Sequence, residues 1–110
     1  MSAPFVTTIR SRRSTIHLAP PGREVITIRV EMPEVWDTVR MVVAPSEPVL
    51  AVKVAALQAL YPEADPELHA DFVVKLRGWE ILDEAASLIE AGAIDGSILL
   101  LTFRRRRAVR

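Results

Sequence analysis

The sequence predicts an α+β domain in which one helix packs across a mixed sheet of about five strands. Three observations carry this. Apolar and polar residues alternate in four short stretches, at 25–30, 35–43, 72–76 and 98–103. One longer stretch with helical spacing follows the second of them. Proline, glycine and acidic clusters punctuate the intervals.

Each element has a local reason. In 25–30, Ile26, Ile28 and Val30 share one face, with Thr27 and Arg29 on the other. Residues 31–34 can turn the chain. In 35–43, Val39, Met41 and Val43 face inward, and Thr38, Arg40 and Val42 outward, so the two stretches predict an antiparallel hairpin. Ser46 can cap a helix, Glu47 favours the positive end of its dipole, and Pro48 suits its first turn. The helix is expected over 48–61, with Val49, Val52, Ala56 and Leu60 as its apolar stripe. Its Val- and Ala-rich interior makes packing, rather than propensity, the source of its stability.

Residues 62–71 are acidic and proline-punctuated and read as a loop. Phe72, Val74 and Leu76 then face inward, with Val73 and Lys75 outward. Arg77-Gly78 reads as a tight turn, 79–82 as a return strand, 85–91 as a short helical turn, and Asp95-Gly96 as a turn. A final strand at 98–103 sets Leu99, Leu101 and Phe103 opposite Ile98, Leu100 and Thr102. The core is expected to gather Val39, Met41, Val43, Val52, Leu60, Val74, Leu76, Leu99 and Leu101.

At 110 residues the chain fits one domain with a thin core. It is half apolar and 25% charged. It has no cysteine, which excludes a disulfide framework, a thiol nucleophile and a cysteine-based metal site. Its zero net charge hides an arrangement: +4 over 1–23, −9 over 24–103 and +5 over 104–110. Residues 1–23 end in Pro20-Pro21-Gly22 and read as a basic, mostly flexible tail, with an extended piece at 5–9 that has no evident pairing partner. Residues 104–110 read as an Arg-rich tail. Arginine outnumbers lysine twelve to two, a ratio that a high-GC bacterial genome would give. No apolar run reaches the ~20 residues of a membrane span. Ser11-Arg12-Arg13-Ser14 is similar to a twin-arginine signal, but no apolar region or cleavage site follows, so a cytoplasmic protein is expected.

The order ββαββ, a turn and then β, over about 80 residues, is that of the β-grasp fold. Residues 45–104 resemble ubiquitin and its relatives. Pro45-Ser46-Glu47 with Val49, Val52 and Lys53 is similar to ubiquitin's helix start. FVVKLRGWEILD at 72–83 resembles its third strand, glycine turn and fourth strand, and LIEAGAIDGSILLL at 88–101 the segment into its last strand. The spacing of Gly92 and Asp95-Gly96 is similar to YukD-type ubiquitin-like proteins, which accompany bacterial type VII secretion systems. Conjugating and sulfur-carrier relatives end in Gly-Gly, whereas here no glycine follows Gly96. On that comparison the chain as written is not charged in the ubiquitin manner.

The residues point away from catalysis. His17 and His69 are the only histidines, and no nucleophile–base spacing or phosphate-cradling glycine loop is present. The acids of 63–71 and 80–84 lack the ligand spacing of a calcium loop, so no metal or cofactor is expected. The resemblance places a protein-binding face at Val73, Lys75, Leu100, Thr102 and the turn around Trp79. Alternation independently turns Val73, Lys75, Leu100 and Thr102 away from the helix. Lys75 takes the position of ubiquitin's central hydrophobic residue, which implies that the usual ubiquitin receptors do not fit. The competing reading covers Trp79 with residues 1–23, and Trp36 reads as local packing. Arg104, Arg105, Arg106, Arg107 and Arg110 read as an electrostatic docking element for an acidic partner or a second copy, so self-association is an open outcome. Their lack of interleaved aromatics disfavours nucleic acid.

The expected function is a non-catalytic protein-binding module, an adaptor or accessory component of a bacterial cytoplasmic system, with secretion-system proteins as one class of partner. The alternative is a precursor of a ubiquitin-like modifier, needing C-terminal processing or other terminal chemistry. Its partners would be activating-enzyme, conjugating-enzyme or isopeptidase-like proteins.

Overall fold

The alternating segments assemble into one mixed sheet of six strands. The computed structural model describes residues 15–19, 22 and 24–104. The strands are β1 (Ile16–Leu18), β2 (Ile26–Met32), β3 (Asp37–Val43), β4 (Phe72–Leu76), β5 (Trp79–Glu80) and β6 (Ile98–Phe103). They lie in the order β1-β3-β2-β6-β4-β5. β2 and β3 form the expected antiparallel hairpin, and β6 enters between β2 and β4, parallel to the first and antiparallel to the second.

The sheet has six strands where about five are expected. Ile16–Leu18, within the segment read as a tail, pairs in parallel with Met41–Val43 of β3. Three residues are too few to show a period, and a parallel pairing made across the chain leaves no local turn signal. The rest of that segment, 1–14, lies outside the described residues, as does the extended piece expected at 5–9.

Helix α1 (Val49–Leu60) packs on one face of the sheet. Val49, Val52, Ala56 and Leu57 join Ile28, Val30, Met32, Val39, Met41, Val43, Val74, Leu76, Leu99 and Leu101 in the core. Leu60, expected inside, is half-buried at the helix end. Phe72 closes that end edge-to-face between Tyr61 and Phe103, with ring centroids at 6.3 and 5.1 Å.

The helix is not capped by Ser46. Pro48 is its N-cap residue, without a side-chain bond. The free N–H groups of Val49 and Leu50 donate instead to the carbonyls of Ala86 and Glu84, at 2.9 and 2.8 Å. The favour is returned at the short helix α2 (Leu88–Ala91), whose Leu88 and Ile89 N–H groups donate to the carbonyls of Glu47 and Pro45. Ser87 and Glu90 complete a capping box there, at 3.0 and 3.1 Å. Two helix starts therefore cap each other across the fold.

The acidic 62–71 loop contains a 3-10 turn over Pro66–Asp71. Arg77 and Gly78 both take positive φ, 53° and 85°, the conformation of a two-residue hairpin turn that glycine supplies without strain.

Candidate functional site

The face of the sheet opposite α1 carries most of the residues singled out in the sequence. Cross-strand register sets Lys75 between Leu100 and Glu80, and Val73 beside Thr102. Lys75, Leu100 and Thr102 are half-buried there. Val73 is not an exposed member of this face, being only 4% exposed. Alternation places its side chain correctly, outside the main core, but something covers it. Arg104, just past β6, pairs with Glu80 of β5 at 2.8 Å, and β4 runs between those strands. The ion pair therefore spans Val73.

That contact also changes the reading of the arginine tail. Arg104 is part of the sheet's closure: its N–H donates to the Asp71 carbonyl at 2.6 Å and its guanidinium holds Glu80. Arg105, Arg106, Arg107 and Arg110 lie outside the described residues.

Trp79 is 79% exposed, so among the described residues nothing covers it substantially. It does not share the face of Lys75 and Leu100. Its cross-strand partner is Leu76, a core residue, and paired side chains point to one side. Trp79 accordingly projects from the β5 edge on the helix side, beside a shallow pocket with Leu76, Ile81 and Ala91 in its wall. The alternation of β4 could not show this, because the two-residue turn sets the register of β5.

Trp36 overturns the expectation of local packing. It is 93% exposed and sits at φ 52°, in the left-handed region. It ends the 3-10 turn over Pro33–Val35 that joins β2 to β3. That turn is tied to β6 by Glu34, whose carboxylate accepts from the Thr102 hydroxyl at 2.6 Å and the Phe103 N–H at 2.7 Å. Trp36 is thus carried by a braced turn next to the Thr102 end of the open face. A single tryptophan beside a proline–acid turn was the available signal.

One buried charge was also missed. Lys53 is 3% exposed, and its ammonium donates to both oxygens of Glu84 at 3.0 and 3.1 Å. It braces α1 against the loop that caps it. His17 is exposed on β1 and His69 half-buried in the 66–71 turn. Among the described residues, no group of three or more His, Asp or Glu side chains is placed to hold a metal, and no helix is long and apolar enough to cross a membrane.

No protein-family model matches the chain, and no curated protein matches it. Solved structures do. The C-terminal ubiquitin-like domain of mouse tubulin-specific chaperone e superposes with a TM-score of 0.63 at 13% identity, over 83% of this chain and 98% of that one. Ubiquitin of Caldiarchaeum subterraneum gives 0.61 at 17% identity, over 77% and 100%. The ubiquitin-like domain of Plasmodium falciparum Dsk2 gives 0.59 at 18%, over 73% and 99%. At these identities the likeness establishes architecture: the chain has the ubiquitin-like, β-grasp fold.

Proposed function

We propose that the chain is a non-covalent protein-binding module whose partner docks on the open sheet face, with Trp36 as the apolar anchor. Lys75, Leu100 and Thr102 supply the neighbouring surface, Val73 supports it from beneath, and Trp79 offers a separate contact at the β5 edge. The observation that carries this reading is Trp36. A left-handed backbone costs a bulky residue roughly 1–2 kcal/mol, and almost full exposure returns nothing to the free protein. Burial in a partner would return it, and tryptophan is the residue most enriched among binding hot spots.

The ubiquitin-like architecture of the neighbouring domains is consistent with an interaction module. The likeness of the Gly92 and Asp95-Gly96 segment to YukD-type proteins supports a finer assignment, an adaptor or accessory component of a bacterial cytoplasmic system. Arg105, Arg106, Arg107 and Arg110 would add salt-sensitive attraction to an acidic partner. The test is affinity capture with the full chain, comparing wild type with Trp36→Gly and Leu100→Glu. A partner held by wild type and lost from both folded variants supports the reading. A partner retained by both contradicts it.

A further inference from the structure

The open face holds a second feature, away from Trp36. Arg29 of β2 and Arg40 of β3 are direct cross-strand partners, and both are exposed. The Arg29 N–H donates to Ser97 on the β6 side at 3.0 Å. In an antiparallel ladder this makes Arg29 and Arg40 a non-hydrogen-bonded pair, the closer kind, with Cα atoms about 4.5 Å apart. Two like charges placed directly opposite each other destabilise a sheet.

Within the described residues the pair has no contacting counter-charge. Neither arginine has a hydrogen-bonded or ion-paired carboxylate. Glu31 lies on the same face two residues along β2, opposite Thr38 and Leu100. Asp95, at the end of the face, has one oxygen engaged by the Thr27 N–H at 2.7 Å. The two arginines border a shallow depression whose other walls are Thr27, Ile28, Gly96 and Ile98. Ile98 is 49% exposed and pairs with Arg29 from the β6 side. A cationic pair thus adjoins an open aliphatic side chain.

We infer that Arg29 and Arg40 form a carboxylate-binding site for an extended acidic segment of a protein partner, with Ile98 packing against an apolar neighbour of the bound acid. Charge complementarity is the argument. Among the described residues these two guanidiniums have no ion-pair partner, on a body that is otherwise strongly acidic, and their planar forks suit bidentate carboxylate recognition. A long polyanion fits less well, because Glu31, Asp95 and Glu80 share or border the face and no aromatic side chain adjoins the pair for base stacking. This site rests on the reading of the face as a docking surface and names the chemistry of its partner.

The test is a titration of the full chain followed by backbone amide shifts, using a short peptide that alternates Glu and Val. Companion titrations use the same peptide with Gln for Glu, inorganic phosphate, and a single-stranded oligonucleotide. The Glu peptide should move the amides of Thr27, Arg29, Arg40 and Ile98. The Gln peptide, and the Arg29→Gln/Arg40→Gln variant with the Glu peptide, should each bind at least about tenfold more weakly, as loss of a charge-assisted bond implies. The variant should melt no lower than wild type, since the repulsion is removed; the single Arg40→Gln variant and added salt give the same comparison if the double variant is unstable. Equal binding of Glu and Gln peptides, shifts elsewhere, or tighter binding of phosphate or oligonucleotide at these amides would overturn the inference. The Trp36→Gly variant should bind the peptide as wild type does. Partner capture that survives Trp36→Gly, with the Glu peptide still bound at these amides, would therefore contradict the docking anchor alone; partner capture lost in Trp36→Gly, with Glu and Gln peptides binding wild type equally, would contradict this site alone.

Discussion

Lys53 and Glu84 form an ion pair at 3.0 Å that joins the buried side of helix α1 to the loop capping its first turn. The lysine is almost wholly buried and the glutamate about a quarter exposed, so the two partners should respond differently to removal. Glu84→Ala leaves an ammonium without its counter-charge and should cost about 3 kcal/mol. Lys53→Met fills the same space without a charge, and Glu84 can turn to water, so stability should be nearly unchanged or higher. Urea denaturation of the two variants checks the asymmetry.

Leu99 sits at the centre of the sheet on β6, fully buried between β2 and β4 and facing α1. Leu99→Ala should cost roughly 2–5 kcal/mol, through lost burial and the cavity left behind. An equilibrium unfolding curve measures it, and a cost below about 1 kcal/mol would contradict this central placement.

Arg104→Ala removes an exposed ion pair and uncovers Val73. Surface pairs contribute little, and the aliphatic stem of arginine shields apolar surface, so about 1 kcal/mol should be lost. A chain truncated after Arg104 should melt like the full chain. Truncation before it should lower the melting temperature, which a thermal scan of the two will show.

Trp36→Gly separates binding from stability. Glycine adopts the left-handed turn without steric cost, although it loses more entropy on folding. The variant should be as stable as wild type or about 1 kcal/mol more so, by thermal melting, while losing partner capture.

Much of the fold was legible because its signals are local. Ile26, Ile28 and Val30 against Val39, Met41 and Val43 show period-two alternation, and Arg77-Gly78 has the backbone freedom of a hairpin turn. What escaped is set by contacts distant in sequence. Ile16–Leu18 becomes a strand only because the edge of β3 is free to receive it. The helix N-terminus is capped by residues 84–86 rather than by Ser46 beside it. The site was legible in part. Alternation placed Lys75, Leu100 and Thr102 on the open face, but it could not foresee the Arg104–Glu80 pair over Val73. Nor could it show that pairing with Leu76 turns Trp79 to the helix side. Trp36 and the Arg29/Arg40 pair needed turn geometry and strand register, which one-dimensional pattern does not contain.

The docking role of the open face can be tested most directly by site-specific photo-crosslinking in cells expressing the full chain. A benzophenone amino acid replaces Trp36 in one variant and Glu63, on the exposed acidic loop, in another. Position 36 should yield a discrete adduct with a second protein, absent from position 63 and lost when Leu100→Glu is added. No adduct at 36, or the same adducts from both positions, would contradict the assignment of this face as the binding surface.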